Sequence, residues 1–175
     1  EDFSIVKPTF MASAPRLWES IYQGIAANVQ KASPVSRGLF RAAVRVAGAF
    51  RGSLKLLAGQ KLERSPSLAG RAARFCLALI QIPLLALPFL VLDAVVLGKI
   101  RRATGGRLRG SCSGGGALPY HVDQFFNSIG IPVLEGYGMT ETSPVIAVRT
   151  FEHLVVGTVG PLYRDTDLRL VDLAN

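Results

Sequence analysis

The residues best suited to chemistry lie in one short segment, residues 134–144, which reads LEGYGMTETSP. It continues an apolar run, residues 131–134, that predicts a buried strand. Glycines let a backbone approach a ligand closely, an aromatic ring offers a face to a base, and hydroxyls donate to phosphate oxygens. A carboxylate beside them can hold the Mg²⁺ that accompanies a polyphosphate. The segment therefore suits a nucleotide, although an ordinary strand-to-turn connection uses the same residue types.

Four segments resemble, in the same order, segments of one enzyme superfamily. Residues 136–144, GYGMTETSP, resemble the signature after a core strand in the adenylate-forming, AMP-binding enzymes, which include acyl-CoA synthetases, luciferases and peptide-synthetase adenylation domains. Residues 113–119, SGGGALP, resemble the glycine loop that precedes it. Residues 7–22, KPTFMASAPRLWESIY, and 98–116, GKIRRATGGRLRGSCSGGG, resemble parts of long-chain acyl-CoA synthetases. The resemblance implies an internal fragment of the N-terminal domain of a long-chain fatty acid CoA ligase.

The resemblance also implies where the base of a bound ATP would lie. Tyr137 would stack on the adenine. Gly115, Gly116 and Ala117 would form the loop wall on the other side of the base. These four positions are the implied base-binding residues.

A second group of motif residues is implied to act at the phosphates. Thr140 would donate its hydroxyl to the α-phosphate, in a contact that strengthens as charge builds in the transition state. Glu141 would ligate Mg²⁺ bridging the phosphates. Gly136 and Gly138 would leave room where the acyl carbonyl and the phosphate meet. Turn capping is the alternative role for Thr140 and Glu141, and Glu135 would either line the site or orient the loop by accepting backbone hydrogen bonds.

The implied reaction joins a fatty acid to coenzyme A through an acyl-AMP intermediate, with ATP, Mg²⁺ and CoA as co-substrates and cofactor. The 175 residues hold no phosphate loop ending in Pro-Lys-Gly, no downstream ribose-binding Asp and no C-terminal catalytic Lys. We therefore expect an internal piece of a longer chain that is inactive alone. A ligase that stops at acyl-AMP, and a non-catalytic, membrane-associated binding module on the same scaffold, are the alternatives.

The charge is distributed unevenly. Residues 1–112 contain 17 Lys and Arg against 5 Asp and Glu, whereas residues 113–175 contain 3 against 7. A basic surface attracts nucleic acid, anionic lipid or acidic substrates. Nucleic acid is disfavoured, because the arginines cluster around apolar segments without interleaved aromatic residues. The two cysteines, Cys76 and Cys112, lack CxxC spacing, which favours buried thiols in a reduced, cytoplasmic compartment. Nothing in the sequence indicates the oligomeric state.

The first part of the chain, residues 1–106, predicts helices after a strand end at residues 3–6. Ser13 as N-cap and Pro15 predict a helix whose apolar face packs Trp18 into a core. A second helix is predicted over residues 37–57, with basic and apolar faces: Arg37, Arg41, Arg45, Arg51 and Lys55 on one side, and Leu39, Ala43, Val46, Phe50, Leu54 and Leu57 on the other. Its basic face would be either solvated or in contact with a membrane.

Residues 75–92, FCLALIQIPLLALPFLVL, form a long apolar tract. Its length approaches that of a membrane span, but Pro83, Pro88 and the following Asp93 argue against a simple one. Insertion into one face of a membrane, burial as a core hairpin or acyl-passage wall, and a true span are the three interpretations. The sequence thus leaves contact with a membrane surface through residues 37–97 open.

The second part, residues 107–175, predicts alternating strands and helices that carry the motifs. Strands are predicted over residues 108–113, 131–134, 145–148, 155–159 and 167–171, and a helix over residues 119–128. The fold class is therefore α/β, a layered sheet-and-helix arrangement with a largely helical first half. In such folds the site lies at the carboxyl ends of the strands.

Overall fold

The computed structural model describes residues 2–61, 67–142 and 144–171 and confirms the predicted α/β class with its helical first half. The helices are α1 (Asp2–Val6), α2 (Pro15–Lys31), α3 (Pro34–Leu57), α4 (Leu68–Leu92), α5 (Gly98–Ala103) and α6 (Tyr120–Ile129). The strands are β1 (Phe10–Ser13), β2 (Gly110–Ser113), β3 (Val133–Gly138) and β4 (Val145–Val148). A π-helical turn, Asp93–Leu97, joins α4 to α5, and a 3-10 turn, Thr140–Thr142, follows β3.

One sheet holds the four strands in the order β1-β2-β3-β4. The first three strands are parallel, with Phe10 opposite Gly110 and Ser113 opposite Glu135. β4 returns antiparallel to β3, and the register between them shifts at Tyr137 and Gly138. The carboxyl ends of β1, β2 and β3 consequently meet at one edge of the sheet, and the two motif loops begin there.

Three predicted strands are wrong. Residues 3–6 belong to α1, which ends where Lys7 takes a φ of 46°. Residues 155–159 form a turn in which the Thr158 amide donates to the Val155 carbonyl, and Gly157 has a φ of 81°. Residues 167–171 are not in a strand. Runs of β-branched residues favour strands only where another strand is available for pairing, so a short apolar run does not by itself predict a strand.

α2 begins one residue later than the capping pattern predicts. Ser13 is the last residue of β1, the N-cap is Ala14, and no side chain caps the helix. Pro15 occupies the first helical turn, where its missing N–H costs nothing. Side-chain capping occurs instead at α3, where the Ser33 hydroxyl accepts a hydrogen bond from the Ser36 amide at 3.3 Å.

The hydrophobic core lies where α2, α3 and α6 pack on the sheet. Trp18 is fully buried, which confirms its predicted place in the core, and its ring meets Phe126 edge-on at 4.8 Å. Edge-to-face pairs of this kind stabilise a fold beyond the area that they bury. The other buried members of the core are Ala43, Ala47, Leu97, Leu118, Val122, Phe125, Ile129, Ile131 and Val133.

The basic residues of α3 do not share one environment in the structure. Arg41 and Arg45 are exposed, as expected of a solvated or membrane-facing side. Arg51 and Lys55 turn toward the protein instead: the Arg51 guanidinium lies 5.3 Å from the centroid of the Phe89 ring, and Lys55 donates to Asn127. The single basic face expected over the whole helix is therefore wrong at its C-terminal end. Apolar contact along the long stems of these side chains accounts for the difference.

α4 is one continuous helix through Pro83 and Pro88, so the core hairpin, one of the interpretations left open by the sequence, is wrong. Among the described residues, Leu68–Ala103 is the stretch long and apolar enough to cross a membrane, and 6% of its most apolar window is buried. Cys76 on this helix is exposed rather than buried, and both cysteines are free. Large apolar side chains are exposed along α4: Phe75, Leu77, Leu79, Ile80, Leu84, Leu87, Leu90 and Val91.

Candidate nucleotide site

The glycine loop and the signature turn lie side by side. Both leave neighbouring parallel strands, since Ser113 at the end of β2 pairs with Glu135 in β3. A Cβ added to Gly114 would lie 3.7 Å from the carbonyl oxygen of Gly136, so the two backbones are close to contact. Gly115 has a φ of 78°, a conformation that side chains with a Cβ disfavour, and open space above it. The two motif loops are therefore neighbours at this edge of the sheet.

The signature residues project from this edge. Tyr137 is 47% exposed, and Thr140 and Glu141 are exposed on the 3-10 turn. The turn is held by Thr142, whose hydroxyl accepts from the Met139 amide at 3.1 Å and donates to the Met139 carbonyl at 2.9 Å. Within the described part of the chain, Thr140 and Glu141 make no side-chain hydrogen bond. Their side chains are exposed at the carboxyl edge of the sheet.

The donor set fits a magnesium ion that a polyphosphate brings with it. Within residues 2–61, 67–142 and 144–171 there is no group of three His, Cys, Asp or Glu that could hold a metal alone. Mg²⁺ commonly takes one or two protein carboxylates and fills its other positions with phosphate oxygens and water. Glu141 offers one exposed carboxylate of that kind.

Glu135 differs from its exposed neighbours in the motif, because it points into the protein and is only 7% exposed. One carboxylate oxygen accepts from the amide of Leu118, within the glycine loop, at 2.9 Å. The other lies 2.7 Å from Arg149. Of its two expected roles, the contacts match the second: Glu135 orients the loop by accepting a backbone hydrogen bond.

Arg149 forms the centre of a buried ionic network that the sequence did not reveal. Its guanidinium is fully buried, 2.8 Å from Asp123 on α6 and 2.7 Å from Glu135 on β3. Its Nε donates to the Thr158 carbonyl, and its amide donates to the Glu135 carbonyl at 3.0 Å. Buried charges persist only when they are paired and hydrogen-bonded, and here each charged group has several partners.

The same network extends away from the site through α6. Asp123 accepts from the Gly157 amide at 3.1 Å and from the Asn127 side-chain amide at 2.8 Å. Asn127 in turn accepts from Lys55 at 3.0 Å. Burial lowers the pKa of Lys55 to about 8, against a raising effect of Asp123 and a further lowering by Arg149 and Arg51. One signal could have indicated the network: Asp123 lies among the apolar positions of its helix.

The two glycines of β3 are expected to differ in their tolerance of a side chain. A Cβ at Gly138 would overlap the Pro144 carbonyl oxygen, whereas a Cβ at Gly136 would meet Val148 at 3.7 Å, an ordinary contact. Gly138→Ala should therefore lower the free energy of unfolding by about 1–3 kcal/mol. Gly136→Ala, the matched control, should change it by less than about 1 kcal/mol. Urea unfolding of both variants measures the difference, and equal losses would contradict the crowding at Gly138.

Comparison with known proteins places the whole chain in one family. The family model described as AMP-binding enzyme matches residues 1–175. The chain is 32% identical over 175 residues to the probable acyl-activating enzyme 16, chloroplastic, of Arabidopsis thaliana, covering 98% of this chain and 24% of that protein. It is 31% identical over 174 residues to a chloroplastic long-chain-fatty-acid–[acyl-carrier-protein] ligase of the same plant, with the same coverage.

A fungal relative gives a similar match. The chain is 35% identical over 174 residues to long-chain-fatty-acid–CoA ligase 2 of Schizosaccharomyces pombe, covering 98% of this chain and 21% of that protein. No solved structure matches the chain. The chain spans about a quarter of the length of these relatives.

Proposed function

The chain belongs to the AMP-binding enzyme family, and from this premise we propose that it forms one wall of the adenylate site of an ATP-dependent long-chain fatty acid ligase. The observation that carries the proposal is the meeting of two motif loops at one edge of the sheet, after β2 and after β3. Ligands of α/β proteins collect at such carboxyl ends of strands. The printed names of the relatives, acyl-activating enzyme and long-chain fatty acid ligase, supply the substrate class.

The base of ATP binds between the two loops in this proposal. Tyr137 stacks on the adenine, since its ring is half exposed at the sheet edge and ready to be covered. Gly115, Gly116 and Ala117 form the facing wall. Their support is the left-handed Gly115 and the open space above it, which let the loop backbone approach a flat ring.

The phosphates lie beyond the end of β3, at the 3-10 turn. Thr140 donates its hydroxyl to the α-phosphate and Glu141 ligates the metal, as their exposed side chains, which make no hydrogen bond to a described residue, allow. Gly136 and Gly138 leave the space in which the acyl carbonyl meets the phosphate. Bound Mg²⁺ would neutralise negative charge on the phosphates and so stabilise the transition state.

The proposed reaction has two steps. An oxygen of the fatty carboxylate attacks the α-phosphorus of ATP, and the bond to pyrophosphate breaks, giving acyl-AMP. The thiolate of CoA then attacks the acyl carbon and AMP leaves. The protein contributes by holding the reactants in line and by donating to the α-phosphate as charge builds there. In this proposal Thr140 makes that donation.

The experiment that tests the function is ATP–pyrophosphate exchange by the intact protein with and without a long-chain fatty acid. Exchange that depends on the fatty acid would support the ligase, and its absence across acids of different length would favour a non-catalytic module. One relative's name gives an acyl-carrier protein as acceptor, so the second step should be assayed with CoA and with holo acyl-carrier protein. Exchange without transfer to either acceptor would identify a ligase that stops at acyl-AMP.

We further propose that residues 1–106, through the segment 37–97, bring the protein to a membrane surface, while residues 107–175 carry the site. The support is the exposed apolar side of α4 together with the exposed Arg41 and Arg45 on the neighbouring α3. An apolar face beside basic residues is typical of a helix that lies in the interface of an anionic membrane. A cytoplasmic enzyme that takes its fatty acid from a bilayer would gain from such contact.

Flotation with anionic vesicles tests the membrane contact. The double variant Leu84→Glu/Leu87→Glu, at two positions each 71% exposed on α4, should lower the vesicle-bound fraction about tenfold or more, because carboxylates resist transfer into the apolar interface. The matched control is Leu168→Glu/Leu170→Glu, which adds the same charge at exposed leucines outside the helix. Equal flotation of the two double variants would show that another part of the protein covers α4.

A further inference from the structure

A cavity of about 260 Å³ lies between α3 and α6. None of the motif residues lines it. Its described lining includes three basic residues, Arg51, Lys55 and Lys61, beside Gly48 and Gly52, and none of the described lining residues is acidic. An enclosed cluster of positive groups attracts anions strongly, because field lines concentrate in a concave, partly buried site.

The three cations of this cavity are weakly neutralised by the described protein. Asp93 lies 3.9 Å from Arg51, but both of its oxygens are bonded to Arg101, at 2.7 and 2.5 Å. The buried Nε of Arg51 has no hydrogen-bond partner among the described residues. Lys55 donates to a neutral amide oxygen, and exposed Lys61 makes no ion pair with a described residue. Toward the described residues, the cations of the cavity therefore keep hydrogen-bond donors that are not used.

Two glycines keep the floor of the cavity open. Gly48 and Gly52 are in the interior of a helix of 24 residues, where glycine is a poor choice for stability. A Cβ at Gly52 would meet nothing within 4 Å and would project into free space, and a Cβ at Gly48 would press on the Ser128 hydroxyl at 3.3 Å. Removing both Cβ atoms gives a ligand access to the helix backbone between the cations.

The electrostatics of Lys55 agree with an anion site. Burial and the nearby Arg149 and Arg51 lower its pKa to about 8, and Asp123 raises it only in part. A bound anion would reverse that lowering by favouring the charged amine. Binding should therefore be accompanied by proton uptake around pH 8, where part of the amine is uncharged.

We propose that this cavity binds a phosphate group, with Arg51, Lys55 and Lys61 as its cationic ligands. Phosphate presents several strong acceptor oxygens and up to two negative charges, which matches three converging cations better than a single carboxylate does. The group can come from a soluble phosphate or from a lipid headgroup. The second source is reasonable because a neighbouring cavity shares Gly48, Gly52 and Lys61 and is continued by Leu77 of α4.

Acetylation of lysines followed by mass spectrometry tests the site in the intact protein. Lys55 should react quickly near pH 7, and inorganic phosphate should slow it about tenfold for each unit by which binding raises its pKa. Sodium chloride at equal ionic strength should not slow the acetylation of Lys55. Exposed Lys99 serves as the internal reference for the rate. Because the readout is specific to Lys55, phosphate bound at the adenylate site does not register.

Two variants and a vesicle experiment complete the test. Gly52→Ala, which places a methyl group in the cavity, should abolish the protection of Lys55, whereas Arg45→Gln, on the exposed side of the same helix, should retain it. Vesicles of phosphatidylcholine with phosphatidic acid that protect Lys55, when free phosphate and pure phosphatidylcholine do not, would identify a headgroup. Protection by chloride, protection that survives in Gly52→Ala, or no protection from either source would overturn the proposal.

Discussion

Glu141→Ala is expected to reduce ATP–pyrophosphate exchange about 100-fold or more, because the proposed site loses its metal-binding carboxylate and the charge on the phosphates is no longer neutralised. The substitution should leave the melting temperature unchanged, since Glu141 is exposed on its turn and makes no side-chain hydrogen bond to a described residue. Exchange measured with saturating fatty acid, beside a thermal melt, separates a loss of chemistry from a loss of fold.

The matched control for this experiment is Glu152→Ala, which removes another exposed carboxylate outside the signature. It should keep exchange within about twofold, because a solvated surface charge contributes little. Near-normal exchange in Glu141→Ala, or an equal loss in both variants, would show that the metal does not bind at this turn.

Arg149→Met should lower the free energy of unfolding by about 3–5 kcal/mol, because it leaves Asp123 and Glu135 as buried carboxylates without their cation. Methionine fills part of the volume of the arginine, so the loss measures mainly the unpaired charge. Arg164→Met, at an exposed arginine, should change the free energy by less than about 0.5 kcal/mol. Urea unfolding monitored by circular dichroism compares the two.

A double variant distinguishes the charge effect from a packing effect. Arg149→Met/Glu135→Gln removes one of the two orphaned charges while the side-chain amide oxygen of glutamine can still accept from the Leu118 amide. It should recover part of the lost stability, because the effects of substitutions at neighbouring residues of one network do not simply add. If the double variant loses as much free energy of unfolding as Arg149→Met and Glu135→Gln lose together, charge pairing does not account for the stability of the network.

The sequence predicted well those features that depend on neighbouring residues. The strand before Glu135, the glycine loop and α6 follow from apolar runs, turn residues and helical spacing. That β2 and β3 are neighbours in the sheet follows from the alternation of strands and helices, which is typical of parallel α/β folds. The orientation of Glu135 was left open, since the choice between facing a ligand and facing the core depends on partners elsewhere in the chain.

Features that depend on distant partners could not be predicted. Arg149 pairs with Asp123 and Glu135, which precede it by 26 and 14 positions, and nothing local marks an arginine after a strand as buried. Lys55 reaches Asn127 across 72 positions, and the stems of such side chains can follow apolar surface either outward or inward. Pro83 and Pro88 count against a simple membrane span, yet α4 continues as one helix through both of them.

The pairing of β1 with β2 joins residues one hundred positions apart, Phe10 with Gly110. During synthesis at roughly 5–20 residues per second, β1 therefore waits on the order of 5–20 s before its partner strand exists. The apolar helix α4 emerges within that interval, before the sheet can close around the core. The chain thus makes this apolar helix before its long-range strand pairing can form, so chaperones or a membrane have time to engage α4 while the nascent fold is incomplete.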